Sequence, residues 1–414
     1  MHISSINIYI MDYNKHEIIK WNSDARYALG PYKLLTQSIG IWPLDHFGII
    51  VFLQVFFSSL IQYFVTIIFI HELITKGNCD LITDIVDALS LVTINIMSIL
   101  KIIVPLINKK KMHFIIKSII KDWTTVCDKN SKKIMLKYAF AGRIFLFVLM
   151  IGSNSLIIGL ILDNPPTTYK FSSDQISDNA TVLRNIPIGA NCWVSTNISM
   201  SIYFAYYGLI AVHLFLLSII NAGNDSCMCG IALHVCGQLN LLYNDMDNLD
   251  GKKKFFSLRK QINQLSRRHI YLIKLANAFQ STFSLIILLQ VATNMFVISI
   301  SGILLLLGLK TGNNEMIIGA LMRILLLFSV LFVYSLIGES LSTEFRSLKL
   351  AIYNCSWYEM SPLLAKDLLF IMMKANYAFH LTAGKICYMN LSGFAGFVKT
   401  TFSYFSFLRL MFKE

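Results

Sequence analysis

Charge is scarce in this sequence. Charged residues make up 14% of its 414 positions, where a soluble domain carries about 25%. Apolar residues reach 55% and the mean hydropathy is +0.60. That leaves too little polar surface to cover a water-soluble globule of this length. Disorder, collagen, coiled coil and a small disulfide scaffold are excluded by the same composition. Signatures of chemistry are missing too. There is no Gly-x-Gly-x-x-Gly, no Gly-x-Ser-x-Gly, no His-Glu-x-x-His and no P-loop. Ala383-Gly384-Lys385-Ile386 lacks the upstream glycine and the Ser or Thr that a phosphate cradle needs. Acidic residues within the apolar runs are confined to Asp84 and Asp87 near one end. A proton-coupled pump usually sets a carboxylate near the midplane. No paired repeat of the kind common in secondary transporters is visible. Neither an enzyme, a cofactor nor a metal centre is expected.

What is present is a series of long apolar segments. A spanning helix needs about 20 mostly apolar residues. Segments 48–70, 138–162, 198–222, 278–309 and 316–338 meet that need, and His213 is the one group in 198–222 that ordinarily titrates near neutral pH. Two segments are weaker. Segment 81–107 carries Asp84, Asp87 and Lys101, and 391–412 carries Lys399 and Arg409. The uncharged stretch 275–309 is too long for one upright span and too short for two with a turn. It reads as one helix that extends past the bilayer. The expectation is an all-α integral membrane protein with seven transmembrane helices. Residues 1–338 hold a cytoplasmic start and six spans, 339–390 a cytoplasmic segment, and 391–412 the seventh span.

The formal net charge of +13 takes its meaning from position. With these spans, Lys and Arg divide 26 to 5 between alternate compartments, and five lie inside spans. Positive residues favour the cytoplasm, so the N-terminus is expected inside and the C-terminus outside. A G-protein-coupled receptor has the opposite orientation. The same distribution argues against a nucleic-acid partner.

The loops add detail. The outer segment 163–197 carries the sequon Asn179-Ala180-Thr181, a candidate glycosylation site. Of eight cysteines, Cys79 and Cys192 fall in outer loops, which leaves a disulfide between them open. Cys227, Cys229 and Cys236 with His234 have the makings of a zinc set, but reduced thiols at the cytoplasmic end of a helix are the expected state. Leu239, Leu242, Leu258, Ile262 and Leu265 form an apolar stripe, so the basic segment after the fourth span is expected to extend a helix. In the outer halves, Leu149, Ser153 and Leu156 share a helical face, as do Tyr203, Tyr206 and Ile210. These are the candidate ligand contacts.

The last span is the least apolar. On a helix, Ser392, Gly396, Lys399, Ser403, Ser406 and Leu410 fall on one stripe. A polar stripe in a bilayer must face protein or water. It can satisfy a contact within the chain, or line a pore in a symmetric oligomer with Leu410 as an apolar constriction.

The final 75 residues carry a resemblance. Ala351-Ile352-Tyr353 with Trp357, then Leu381-Thr382-Ala383-Gly384-Lys385, then Lys399-Thr400-Thr401-Phe402-Ser403-Tyr404-Phe405-Ser406-Phe407-Leu408 resemble the C-terminal pattern of the insect odorant receptors. The related gustatory receptors usually end Thr-Tyr, five residues, Gln-Phe; here Leu410 and Met411 occupy the last two positions. Members often carry proline where this chain has Ala378. The resemblance implies an odorant-gated, non-selective cation channel subunit. It implies a hetero-tetramer with the odorant receptor co-receptor, in the plasma membrane of olfactory sensory neurons. It implies a small apolar odorant or pheromone as ligand and a pore lined by the last helix, with Ser403, Ser406 and either Phe407 or Leu410 at the gate. The cytoplasmic segment before that helix, with Tyr353, Trp357 and Leu368, is implied as the assembly surface. The other readings are a gustatory-type channel and a multi-span transporter.

Overall fold

Proline and glycine are too sparse to break the apolar runs, and the helices run far beyond bilayer thickness. The computed structural model describes residues 21–45, 48–76, 82–126, 128–166, 169–171, 182–188, 198–376 and 379–411. In chain order the helices are α1 (Ser23–Ser38), α2 (Ile49–Lys76), α3 (Ile82–Ile107), α4 (Lys109–Thr125), α5 (Lys129–Asp163), α6 (Met200–Asp247), α7 (Phe255–Thr311), α8 (Asn314–Asn354), α9 (Pro362–Ala375) and α10 (Leu391–Met411). Strands β1 (Tyr169–Phe171) and β2 (Val182–Arg184) pair antiparallel in the long loop between α5 and α6, and β3 (Thr382–Ala383) pairs with β4 (Cys387–Tyr388) before α10. Among the described residues the molecule is all-α apart from these two ribbons.

Among the described residues, α2, α3, α5, α6, α7 and α8 are long and apolar enough to cross a membrane. The 21-residue α10 reaches roughly 30 Å at ~1.5 Å per residue, so it matches the hydrocarbon core in length, although it is less apolar. The stretch 275–309 lies inside α7, a single helix of 57 residues that runs well past the bilayer, as its length implied. The basic segment after the fourth span is indeed the start of that helix.

The exposed faces of the spans are themselves apolar: Phe52, Phe56, Phe64, Ile151, Leu325 and Met322 all stand outward. Such surface suits lipid and not water. The largest core lies toward the ends of the spans packed by α1, α4 and α9. Leu29 and Tyr32 of α1, Ile116 and Trp123 of α4, Leu239 of α6, Leu272 of α7, Leu348 of α8 and Leu364 of α9 belong to one continuous cluster. Leu239, Leu242, Leu258 and Ile262 are buried in it and Leu265 packs against it, which accounts for the stripe. Within this core Asp122 accepts from Arg268 Nη1 at 3.0 Å and meets His234 Nε2 at 3.1 Å. His234 is therefore committed to a carboxylate. Cys227, Cys229 and Cys236 are buried free thiols, and no group of metal-ligating side chains forms among the described residues.

A second, smaller cluster fills the outer part of the bundle. It joins Val65 and Phe69 of α2, Ala88 and Leu91 of α3, Ile157 of α5, and Ile210 and Leu214 of α6.

Candidate functional site

The ligand region starts with what ties α5 to α6. Ser153 and Ser218 bring their hydroxyl oxygens to 2.6 Å. Further out, Tyr207 donates to the carbonyls of Ile161 (3.2 Å) and Asn164 (2.9 Å). The helices are thus antiparallel neighbours, and Leu149 lies deeper than Ser153. The two faces picked from periodicity do not form one lining. Leu156 is 57% exposed, while its neighbour Ile157 is buried in the outer cluster. A span is apolar on its lipid face as well as its inner face, so periodicity could not choose between them. Tyr203 is buried, and its hydroxyl donates to the Asn185 carbonyl at 2.6 Å. Arg184 lies 5.2 Å over the ring centre. Tyr203 is thereby a clamp on the outer loop, and that hydroxyl is not free for a ligand. Ile210 sits in the outer cluster with Tyr206 packed against it, so this pair does line the interior. His213, one turn below Ile210, is fully buried with its ring edge-on to Phe69 at 6.5 Å. Periodicity passed over it; its signal was being the one group of an apolar span that ordinarily titrates near neutral pH.

A polar layer runs deeper in the bundle. Lys101 of α3 is 1% exposed, and its ammonium lies 2.7 Å from Asp225 Oδ1 on α6. The Tyr334 hydroxyl of α8 donates to that oxygen, also at 2.7 Å. Nearby on α3, Ser98 donates to Gln62 Oε1 of α2 at 3.3 Å.

The candidate pore helix is held by a clip. Gln280 of α7 donates to the Thr382 carbonyl at 3.0 Å and accepts from its N–H at 3.1 Å. Gly384 donates from its N–H to Ser284 of α7 at 3.0 Å. Gly384 and Lys385 have φ of 59° and 62°, the left-handed region that a tight hairpin requires and that glycine enters freely. The Leu381–Lys385 motif is therefore a turn docked on α7. Asn390 then caps α10, its Oδ1 accepting from Gly393 at 2.7 Å. From there α10 lies along α7 and α8. Phe394, Phe397 and Phe405 pack on the core, and Thr401 is buried. The Phe405 ring lies against the bare backbone of Gly302, where any side chain would overlap it. Every member of the polar stripe faces the other way: Ser392, Gly396, Lys399, Ser403, Ser406 and Leu410 are all exposed, as is Phe407. Other helices of the chain thus do not cover the stripe, although Ser406 donates back to the Phe402 carbonyl of its own helix at 2.9 Å.

The segment before the clip divides by exposure. Leu364 and Leu368 are buried in the chain's own core. Leu368 is thus removed from the assembly surface, because the inward face of α9 packs on α7 and α8. Tyr353 and Trp357 are 62% and 44% exposed, and Leu363, Leu369, Phe370 and Met373 stand out with them. Asn179, Cys79, Cys192 and Ala378 lie outside the described residues. Of the other sequons, Asn224 is buried and hydrogen-bonds within α6, and Asn390 serves as the cap just described.

Comparison with known proteins agrees with this architecture. A family model described as 7tm Odorant receptor matches residues 81–402. Odorant receptor 10 of Aedes albopictus is 23% identical over 152 residues, which span 37% of this chain and 40% of that relative. The structure of the insect olfactory receptor OR5 from Machilis hrabei superposes with a TM-score of 0.72 at 13% identity, covering 92% of this chain and 97% of that one. The same receptor in complex with eugenol gives 0.73 at 15% identity, over 94% and 100% of the two chains. At such identities the likeness speaks for the fold. The family assignment rests on the long sequence match: this chain belongs to the seven-transmembrane odorant receptor family.

Proposed function

We propose that this receptor is a subunit of an odorant-gated, non-selective cation channel that works with the odorant receptor co-receptor in a hetero-tetramer. It acts in the plasma membrane of olfactory sensory neurons, with its N-terminus in the cytoplasm, its C-terminus outside and Asn179 open to glycosylation. The observation that carries this reading is the exposed polar stripe of α10, Ser392 to Leu410. At bilayer depth such a stripe needs water or another subunit beside it. A central pore built from one such helix per subunit supplies both. Ser403 and Ser406 would face permeating ions, and Phe407 or Leu410 would close the path by dewetting. The apolar surface around Tyr353 and Trp357 supports contact with a neighbouring subunit. The Machilis receptor, solved in complex with eugenol, supports a small, largely apolar ligand, and the outer bundle is the site proposed for it here.

The test is co-expression with the co-receptor and whole-cell recording over a panel of volatiles. The expected result is a ligand-evoked cation current that is absent with the co-receptor alone. Saturable uptake without current would mark a transporter instead. A signal that survives block of the current would overturn the channel reading.

A further inference from the structure

His213 is a buried imidazole set among hydrocarbon side chains. It sits within the fourth span on α6, and none of its surface is exposed. Among the described residues, neither Nδ1 nor Nε2 has a hydrogen-bond partner. Its helical neighbours Ile210 and Leu214 belong to the outer cluster with Val65, Phe69, Ala88, Leu91 and Ile157, all hydrocarbon. Some other buried polar groups also lack a partner among the described residues, namely Gln62 Nε2, Asn95 Oδ1 and Nδ2, and Asn185 Oδ1, while several are satisfied. Tyr203 and Tyr207 donate to loop and helix carbonyls, Thr66 and Ser90 donate to the preceding turn, and Ser153 meets Ser218. A buried polar group without a partner is costly. Something must offset that cost in the working state.

The surroundings narrow what it is. A metal needs further ligands close by, and no such group forms among the described residues. A proton relay needs a second titratable group bonded to the imidazole; Tyr206 packs against the same cluster, but no described residue hydrogen-bonds to His213. What remains is a polar ligand group. A neutral imidazole presents one N–H donor and one lone pair, and which nitrogen carries the proton is free to change. A hydroxyl donates or accepts, so it pairs with whichever nitrogen it meets in either tautomer. A carbonyl oxygen accepts only from the N–H. A hydrocarbon leaves both nitrogens as they were. A carboxylate would bring a charge into a cluster with no fixed counter-charge.

We infer that His213 is the polar recognition point of the ligand site, selecting molecules with an apolar skeleton and one hydroxyl group over hydrocarbons of the same skeleton. This rests on the reading of the outer bundle as the odorant site. It assigns that site a ligand class and a specificity-determining residue.

The experiment uses the full chain, purified in detergent, with thermal unfolding as readout. The probes are matched primary alcohols, aldehydes, carboxylates and alkanes on linear six- to ten-carbon and monoterpene skeletons. On at least one skeleton the alcohol should raise the unfolding midpoint more than the alkane, with apparent affinity on the order of tenfold tighter. His213→Leu should abolish that difference. His213→Gln, whose amide both donates and accepts, should keep most of it. His213→Leu should also match or exceed the wild-type midpoint without ligand, because it removes an unpartnered polar group. The inference is overturned if no alcohol exceeds its alkane, if the carboxylate exceeds the alcohol, or if the preference survives His213→Leu. It is equally overturned if His213→Leu lowers the ligand-free midpoint, since the imidazole would then have an internal role. Whole-cell recording separates the two readings. An alcohol-selective midpoint shift without evoked current defeats the channel and leaves the ligand class standing. Current evoked equally by alcohol and alkane defeats the ligand class and leaves the channel.

Discussion

Lys101 and Asp225 form an ion pair inside a membrane bundle, Nζ to Oδ1 at 2.7 Å, with the lysine 1% exposed. Tyr334 completes it by donating to the same carboxylate at 2.7 Å, so α3, α6 and α8 meet at one point. Removing one partner of a buried pair leaves an uncompensated charge and costs about 3–5 kcal/mol, whereas replacing both with apolar groups is often neutral. Lys101→Met and Asp225→Asn should each lower the thermal midpoint and surface expression. The double variant Lys101→Met, Asp225→Leu should recover much of the loss. Single variants with wild-type stability would show that the pair is dispensable.

Gly302 and Phe405 seat α10 on α7. A methyl at 302 overlaps the ring, so Gly302→Ala should displace α10 and change the current without ligand. Overpacking of this kind costs about 1–3 kcal/mol. Adding Phe405→Ala should restore the seat in part. Recording from both variants beside wild type tests this, and an unaltered Gly302→Ala channel would count against it.

At the gate, Phe407 and Leu410 are 58% and 66% exposed in the single chain, free to meet their counterparts around an axis. Phe407→Ser or Leu410→Ser should raise ligand-free current, and changes at Ser406 should shift ion selectivity. In the proposed hetero-tetramer both effects should be partial, since the co-receptor would contribute the other pore helices. Cysteines at 403, 406, 407 and 410 that all resist a water-soluble thiol reagent in the open channel would remove α10 from the pore.

The two halves of the segment before the clip should behave differently. Trp357→Ala should weaken co-receptor association in pull-down while leaving the chain folded. Leu368→Ala should destabilise the chain by about 2–5 kcal/mol, as core truncations do. Equal association for Trp357→Ala and wild type would end the assembly role of that surface.

Outside the membrane, His113 on α4 is held below its ordinary value near 6.5 by burial first, then by Lys117 and Lys109. The folded state therefore binds fewer protons than the unfolded chain below that pH. The neutral imidazole contributes stability that is present above pH 6.5 and is lost as the pH falls. The thermal midpoint should drop on acidification from about pH 7, and His113→Gln should flatten part of that slope. An unchanged slope in the variant would show that other groups carry it.

The ends of the helices show how far local sequence reasoning reaches. The apolar runs located six spans and the continuity of α7, because span length and helix rise are properties of the segment itself. The stripe of α10 was legible for the same reason. Which face of α5 turns inward was not: Leu156 and Ile157 are equally apolar, and only packing against α6 separates the exposed one from the buried one. Tyr203 looked like a ligand contact because it shares an outer-half helical face with Tyr206 and Ile210 and carries a hydroxyl that could orient a ligand. That hydroxyl is instead bonded to a loop carbonyl, that of Asn185.

By itself, then, the sequence determined that this is a membrane-embedded helical protein, where its long helices lie, and that its last helix carries polar groups along one side. These follow from composition and period, which each segment expresses alone. Tertiary structure decided the partners. Lys101 and Asp225 are 124 residues apart, Gln280 and Thr382 are 102 apart, and Phe405 of α10 meets Gly302 of α7, three helices earlier. It also decided which polar groups go without a partner, and so left His213 unsatisfied among hydrocarbon while placing the stripe of α10 on the outside. Burial and hydrogen-bond satisfaction are sums over neighbours that distant segments supply, and no local pattern contains them.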